Sequence, residues 1–342
     1  MRVLYGIQGT GNGHMTRARA MAGALSSAKV DVDYLVSGRP RDQLFDMEPF
    51  GDFRCVEGLT FSFHEGKIDI WRTIKNASVR QLWRDIKSVD LSNYDLVITD
   101  FEPVTAWAAR LQKVPSLALS HQACFRYDVP KQGYDLGSRL LMKGFAPASE
   151  HVGLHWHHFN QSILPPVIDT SHQSQPPIDG KIVVYLPFEE LPKIQAFLET
   201  QPEAEFYCYH PELSDALDQK NIHWRPLSRD GFATDLLNAQ GVICNSGFEL
   251  PSESLFLGKK LLVKPLQGQF EQESNALTLS QLSLATVMDH LDSNALERFL
   301  LLPAAAPIPY PDVADAIAGW IADGRETSLK TLAGQLWQQV GS

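Results

Sequence analysis

Strand and helix signals alternate along this chain, stop at one proline-rich stretch, and then start again. The first half offers apolar runs at Val3–Ile7, Val32–Val36, Leu96–Thr99 and Pro115–Leu119. Between them, small and apolar residues recur at helical spacing: Ala18, Met21, Ala22 and Leu25 within Gly13–Ser26, then Ala106, Ala109 and Leu111. Such alternation predicts an α/β fold, with a parallel sheet covered on both faces. Residues 163–177 are rich in Pro, Ser and Gln and read as a joint. Strand runs resume at Ile182–Leu186, Glu205–Tyr209, Ile222–Arg225, Gly241–Asn245 and Lys260–Lys264. A chain of 342 residues is too long for one compact core. The expected division is residues 1–164, a linker at 165–178, a second domain at 179–325 and a C-terminal helix at 326–342. Leu329, Leu332, Leu336 and Val340 give that helix an apolar face.

Composition narrows the class. The net charge of −10 argues against a nucleic-acid partner. Cys55, Cys124, Cys208 and Cys244 are far apart, match no zinc spacing, and read as reduced thiols of a reducing compartment. No apolar run reaches the roughly 18 residues of a membrane helix. The apolar start, Arg2–Ile7, reads as a first strand rather than a targeting segment. A cytoplasmic protein is expected, with the inner face of the membrane as the place of any peripheral contact.

The first strand runs into Gly9-Thr10-Gly11-Asn12-Gly13-His14-Met15-Thr16-Arg17. Glycine allows tight turns and close approach of a ligand to the main chain, which singles out Gly11 and Gly13. The helix that follows points free N–H groups at the same place. A dinucleotide fingerprint fits imperfectly, because His14 stands where the third glycine belongs. No acidic residue follows the second strand; Arg39 there leaves an NADP reading open. A phosphate loop fails for want of a Gly-Lys-Ser/Thr ending. In the third reading the glycines surround a histidine facing a cleft. Imidazole titrates near neutrality, so His14 could remove a proton from a hydroxyl. The bland alternative is a helix-start histidine that only hydrogen-bonds.

A second motif runs from Gly241 through Asn245-Ser246-Gly247 to Glu253: a strand, a small-residue turn and a helix start. Backbone N–H groups at Ser246 and Gly247 suit a diphosphate. A carboxylate one or two turns further in, at Glu253, can accept both hydroxyls of a ribose. Glu271 and Gln272, after the next strand, offer partners for sugar hydroxyls.

Taken in this order, the two motifs resemble those of GT-B glycosyltransferases, built from two Rossmann-like domains facing each other across a cleft. The pattern is similar to the group of the lipid II N-acetylglucosaminyltransferase and the UDP-glycosyltransferases. Within that group it resembles a bacterial and archaeal family with Gly-Thr-Gly-x-Gly-His-x-x-Arg, Ile98-Thr99-Asp100-Phe101-Glu102-Pro103 and a late Glu-Gln-x-x-Asn-Ala. The resemblance covers about residues 3–290. It implies that Ser246 and Gly247 hold the diphosphate, Glu253 the ribose, and Glu271 and Gln272 the transferred sugar. His14 would be the general base, oriented by Asp100. A nucleoside diphosphate sugar, UDP first, would be the donor, with no further cofactor and no metal. The acceptor would be a glycan, a lipid-linked group or a small molecule, and the outcome inversion. Two departures stand out. Asn245 replaces a histidine often aimed at phosphate, and Leu186-Pro187-Phe188-Glu189-Glu190 sets two carboxylates where a second glycine loop belongs. Two rivals share the fold: a nucleotide-sugar 2-epimerase and a non-catalytic nucleotide-sugar-binding regulator.

Other features read more plainly. His151, His155, His157 and His158 surround Trp156; with no adjacent carboxylate or cysteine, a packed strand is the better reading than a metal site. Asp100 and Glu102 would pair only if the strand ran past Asp100. His121 is either a cleft residue or a cap. Trp71–Val89 is amphipathic and basic, an ordinary surface helix or a face for an anionic or lipid-linked acceptor, and Leu140–Phe145 could join it. Acceptor loops are expected at residues 55–90 and 121–145, and a base pocket at Trp224–Arg229.

Overall fold

In a computed structural model of the chain, residues 1–59, 63–64, 67–68, 79–171 and 175–341 are described. The first sheet contains β1 (Arg2–Gln8), β2 (Asp31–Ser37), β3 (Arg54–Val56), β6 (Leu96–Asp100), β7 (Ser116–Ser120) and β8 (Glu150–Gly153). A separate small hairpin joins β4 (Phe63–His64) to β5 (Lys67–Ile68). The sheet is parallel, in the order β3-β2-β1-β6-β7-β8. Its helices are α1 (Asn12–Ser27), α2 (Val79–Ser88), α3 (Pro103–Gln112) and α4 (Leu136–Gly144). The central strands are buried along their length, so their apolar runs are continuous rather than alternating.

The second sheet contains β9 (Lys181–Tyr185), β10 (Glu205–Tyr209), β11 (Leu217–Gln219), β12 (Ile222–Arg225), β13 (Gly241–Asn245), β14 (Lys260–Lys264) and β15 (Thr286–Val287). Its order is β11-β12-β10-β9-β13-β14-β15, with only β11 antiparallel. The helices after β9 are α5 (Leu191–Leu198), α6 (Arg229–Leu237), α7 (Glu249–Phe256), α8 (Phe270–Gln281), α9 (Ser293–Leu300), α10 (Val313–Ala322) and α11 (Leu329–Val340). Every strand expected from an apolar run is present, with ends shifted by a residue or two.

The halves are packed together. One apolar core runs from Val3 and Met21 in the first to Phe248 and Leu255 in the second. The last helices return across the joint: α10 packs along α1, and Trp337 of α11 donates its indole N–H to the Ile163 carbonyl at 2.7 Å. The expected second domain ran to residue 325, yet α10 within that range lies on the first half. No helix among the described residues is long and apolar enough to cross a membrane. Of the basic amphipathic segment at 71–89, residues 71–78 lie outside the described residues.

The histidine-rich stretch departs from expectation. β8 stops at Gly153, so His155 and His157 share no strand face. Leu154 bridges Leu164, and the His157 and His158 rings stack at 4.6 Å against Trp337. Trp337→Ala removes this clamp and a buried indole, and should cost about 3–5 kcal/mol, read as a lower denaturation midpoint in urea.

Candidate functional site

In each sheet the strand order reverses at one point, and in open α/β sheets ligands bind there, outside the carboxyl ends of the strands. In the first sheet this point lies between β1 and β6, in the second between β9 and β13. The loops leaving these strands line one cavity of ≈ 1860 Å³. Small-molecule pockets are typically about 300–1,000 Å³, so this one has room for two substrates. Gly11, Gly13 and His14 line it from the first half, and Asn245, Gly247, Glu253, Glu271 and Gln272 from the second. Sequence motifs 230 residues apart thus share one space.

His14 sits in the first turn of α1, with its side chain 15% exposed. Its Nδ1 lies 2.7 Å from Oδ1 of the fully buried Asp100 at the end of β6. Nη2 of Arg17 also lies 3.0 Å from Nδ1 but is nearer Asp100 Oδ1, at 2.6 Å; with an acceptor-only carboxylate as the closer partner of Nδ1, the proton belongs on Nδ1 and the lone pair on Nε2. Nε2 has no hydrogen-bond partner among the described residues. Burial opposes the charged imidazole, but the charge and hydrogen bond of Asp100 outweigh it and hold His14 above the ordinary histidine value. Phe101, directly after Asp100, takes a left-handed conformation at φ 50° and packs on Phe145 at 4.7 Å. That turn ends β6 and separates the carboxylates of Asp100 and Glu102. Glu102 caps α3 instead, accepting from the Val104 and Thr105 amides at 2.7 Å and from the Ser37 hydroxyl.

On the opposite wall, Gly247 lies open to the cavity. Ser246 does not: it is fully buried, and its hydroxyl donates to the Gln272 carbonyl at 2.8 Å, bracing α8. Asn245 donates its amide to the Lys264 carbonyl, which leaves its buried Oδ1 without a partner. Gln272 accepts from the Leu266 amide, and Glu271 accepts from Gln122 across the halves at 2.9 Å. Of the carboxylates expected to crowd this wall, Glu189 is paired with Lys264 at 2.6 Å, and Glu190 turns outward to Lys193. The Glu253 carboxyl has no hydrogen-bond partner among the described residues. Burial, with repulsion from Glu249 and Asp169, pushes it up to about 7.

Several side chains resolve open readings. Arg39 binds Asn12 and the Thr10 carbonyl inside its own half, so its guanidinium is engaged by the glycine loop. His121 does not line the cleft; it stands at the start of the short turn Gln122–Arg126, but its side chain makes no cap bond. It is fully buried, stacks on Phe248 at 4.0 Å, and contacts the Leu154 carbonyl and Asn275. Burial drives it down to about 4. His121, Cys124 and His155 place their heteroatoms within 4.8 Å of one another, a cluster invisible in sequence because His155 is distant along the chain from the other two. From the expected base pocket, Leu227, Ser228 and Arg229 line the cavity, while Trp224 is buried against Gln219. Of the expected acceptor loops, residues 60–62, 65–66 and 69–78 lie outside the described residues, and Gln122, Ser138, Leu141 and Met142 line the cavity. The sequence reading missed Arg17 and Glu249, which meet between the halves. Gly13 bears on the same contact: a Cβ there would come within 2.6 Å of Glu249 Oε2, so the glycine admits a side chain of the other half.

Two Rossmann-like domains that turn the switch points of both sheets onto a shared cleft make this enzyme a GT-B glycosyltransferase. The chain belongs to glycosyl transferase family 1, whose family model matches residues 1–303. No curated protein matches it in sequence. Among solved structures it is similar to the glycosyltransferase SnogD from Streptomyces nogalater, at 15% identity and a TM-score of 0.58 over 99% of both chains. It is similar to UGT89C1 of Arabidopsis thaliana in complex with quercetin, at 12% identity and a TM-score of 0.60 over 99% of both. Acinetobacter baumannii MurG gives 14% identity and a TM-score of 0.52 over 99% of this chain and 94% of its own. At such identities the likeness shows the fold.

A carboxyl raised from 4.5 to about 7 holds its proton longer in the folded chain than in the unfolded one. Folding stability therefore falls as pH rises through that window. Glu253→Gln should melt a few degrees above the wild type at pH 8, with the gap narrowing at pH 5, in thermal scans without ligand.

Proposed function

We propose that the enzyme moves a sugar from a nucleoside diphosphate sugar to an acceptor hydroxyl, with inversion and without a metal. The observation that carries this reading is the placement of His14, with an unpartnered Nε2, across one cavity from Gly247 and Glu253. UDP is the first nucleotide to test, because the similar UGT89C1 was also solved with UDP.

Nε2 of His14 takes the proton of the acceptor hydroxyl as its oxygen attacks the anomeric carbon. The bond from that carbon to the diphosphate breaks, and its electron pair leaves on the phosphate oxygen. Backbone N–H groups at the start of α7 meet the growing negative charge. Glu253, ionised, accepts from the ribose, and Glu271 and Gln272 accept from and donate to the sugar. Asp100 stays ionised behind the imidazole and stabilises its charged form. Both Asp100 oxygens are already engaged by His14 and Arg17, so it is a poor covalent nucleophile. A single displacement, and hence inversion, follows. A donor charge neutralised by backbone groups requires no metal clasp.

UDP, GDP, TDP and NADPH offered in calorimetry should single out one diphosphate, with affinity lost about tenfold or more in Glu253→Ala. NADPH as the sole ligand would overturn the reading. With the donor named, His14→Ala should lower transfer about a hundredfold to ten-thousandfold while sparing donor affinity. Transfer should persist in EDTA.

The acceptor side carries its own proposal. Beside the cavity, α4 exposes Leu136 and Leu140 together with Arg139 and Lys143, and α2, packed against α3, exposes Val79 and Trp83 with Arg80 and Arg84. An apolar and basic face on a chain of net charge −10 suits an anionic, lipid-linked acceptor at a membrane surface. Co-sedimentation with anionic vesicles should be lost in Leu136→Gln/Leu140→Gln; no sedimentation of the wild type would point to a soluble acceptor.

A further inference from the structure

Arg17 is 1% exposed and follows His14 by one turn of α1. Two arms of its guanidinium grip Asp100, Nε at 2.9 Å and Nη2 at 2.6 Å. The third arm, Nη1, crosses to the second half and ion-pairs with Glu249. Glu249 is the first residue of α7, two places after Gly247. One buried cation therefore ties the carboxylate that orients His14 to the helix that opens the opposite wall.

We propose that Arg17 and Glu249 are positioning residues that make the basicity of His14 depend on closure of the two halves. The proposal rests on His14 as the general base. The charged and titratable groups that face His14 come from five elements. They are Arg17 on α1, Asp100 on β6, Glu249 on α7, Glu271 on α8, and His121 after β7. Glu271 is hydrogen-bonded to Gln122, and His121 is held neutral by burial. The inner group is Asp100, Arg17 and Glu249, which together carry one excess negative charge. Protonating His14 cancels that charge, which a site shielded from water favours. When the halves part, Glu249 withdraws. Asp100 and Arg17 then neutralise each other, and a proton on His14 loses its counter-charge. The base is thus strong when the cleft is shut around both substrates. It is weak when the cleft is open and water is the available nucleophile.

The variant that isolates this is Glu249→Gln, which keeps shape and removes charge. Labelled-histidine NMR of the full chain, with the His14 signal assigned by its loss in His14→Gln, reads the titration midpoint without any substrate. The wild-type midpoint should lie above that of an ordinary histidine and should fall by about one pH unit in Glu249→Gln. Glu249→Asp, which restores the charge, should recover most of the shift. An unchanged midpoint in Glu249→Gln, or a fall that Glu249→Asp does not reverse, overturns the proposal. Calorimetry with UDP on the same samples keeps the two readings apart. Binding of UDP with an unmoved midpoint sinks the coupling alone. A midpoint that falls and recovers in a chain deaf to all four nucleotides upholds the coupling and sinks the donor reading.

Discussion

A guanidinium as deeply buried as that of Arg17 is tolerable only with its charge met, since an uncompensated ion inside a protein costs several kcal/mol. Asp100 meets it from the same half and Glu249 from the other. The rest of the site follows from that constraint. Burial works against the Asp100 carboxylate, but the charges and hydrogen bonds of Arg17 and His14 outweigh that cost and hold it below its ordinary value. Being ionised, it fixes which nitrogen of His14 carries the proton. Glu249, being claimed by Arg17, draws the start of α7 toward the first half. Gly13 must then stay bare. Around this centre lie further hydrogen-bonded crossings that set the halves in register: Trp156 to Ser252 at 2.8 Å, the Gln132 amide to Ser274 at 3.0 Å, and Gln122 to the Glu271 carboxyl.

The donor wall shows how a charge problem is removed by pairing rather than by deletion. The segment after β9 brings Glu189 and Glu190 where a phosphate-binding loop would prefer glycine. Lys264, at the end of β14, reaches Glu189 in a setting only about a tenth exposed, where attraction is stronger than in water. Glu190 lies in solvent with Lys193. Pro187 and Phe188, not the acids, line the cavity.

The fold was legible because its signals are local. Buried parallel strands such as Gly241–Asn245 and Lys260–Lys264 read as unbroken apolar runs, and proline marks the joint. The placement of His14 at the cavity followed from a strand, a glycine turn and a helix, all contiguous. What sequence could not show is contact at long range. Nothing near Arg17 announces a carboxylate 232 residues away. Nothing in Gly11 or Gly13 says that only the second is met by a side chain of the other half. The histidines at 155–158 resemble a strand in sequence, yet β8 ends at Gly153 and only an isolated bridge between Leu154 and Leu164 follows. Ser246 looked exposed because small residues before a helix often are, yet its hydroxyl is drawn inward by Gln272.

The return of α10 and α11 to the first half has a mechanical consequence. The chain passes between the halves twice, once after Ile163 and again before Val313. A single tether would let one body swivel freely about the other. Two tethers define a line, and rotation about that line is the motion they resist least. Such a double connection favours a swing about one axis over free rotation of one half against the other.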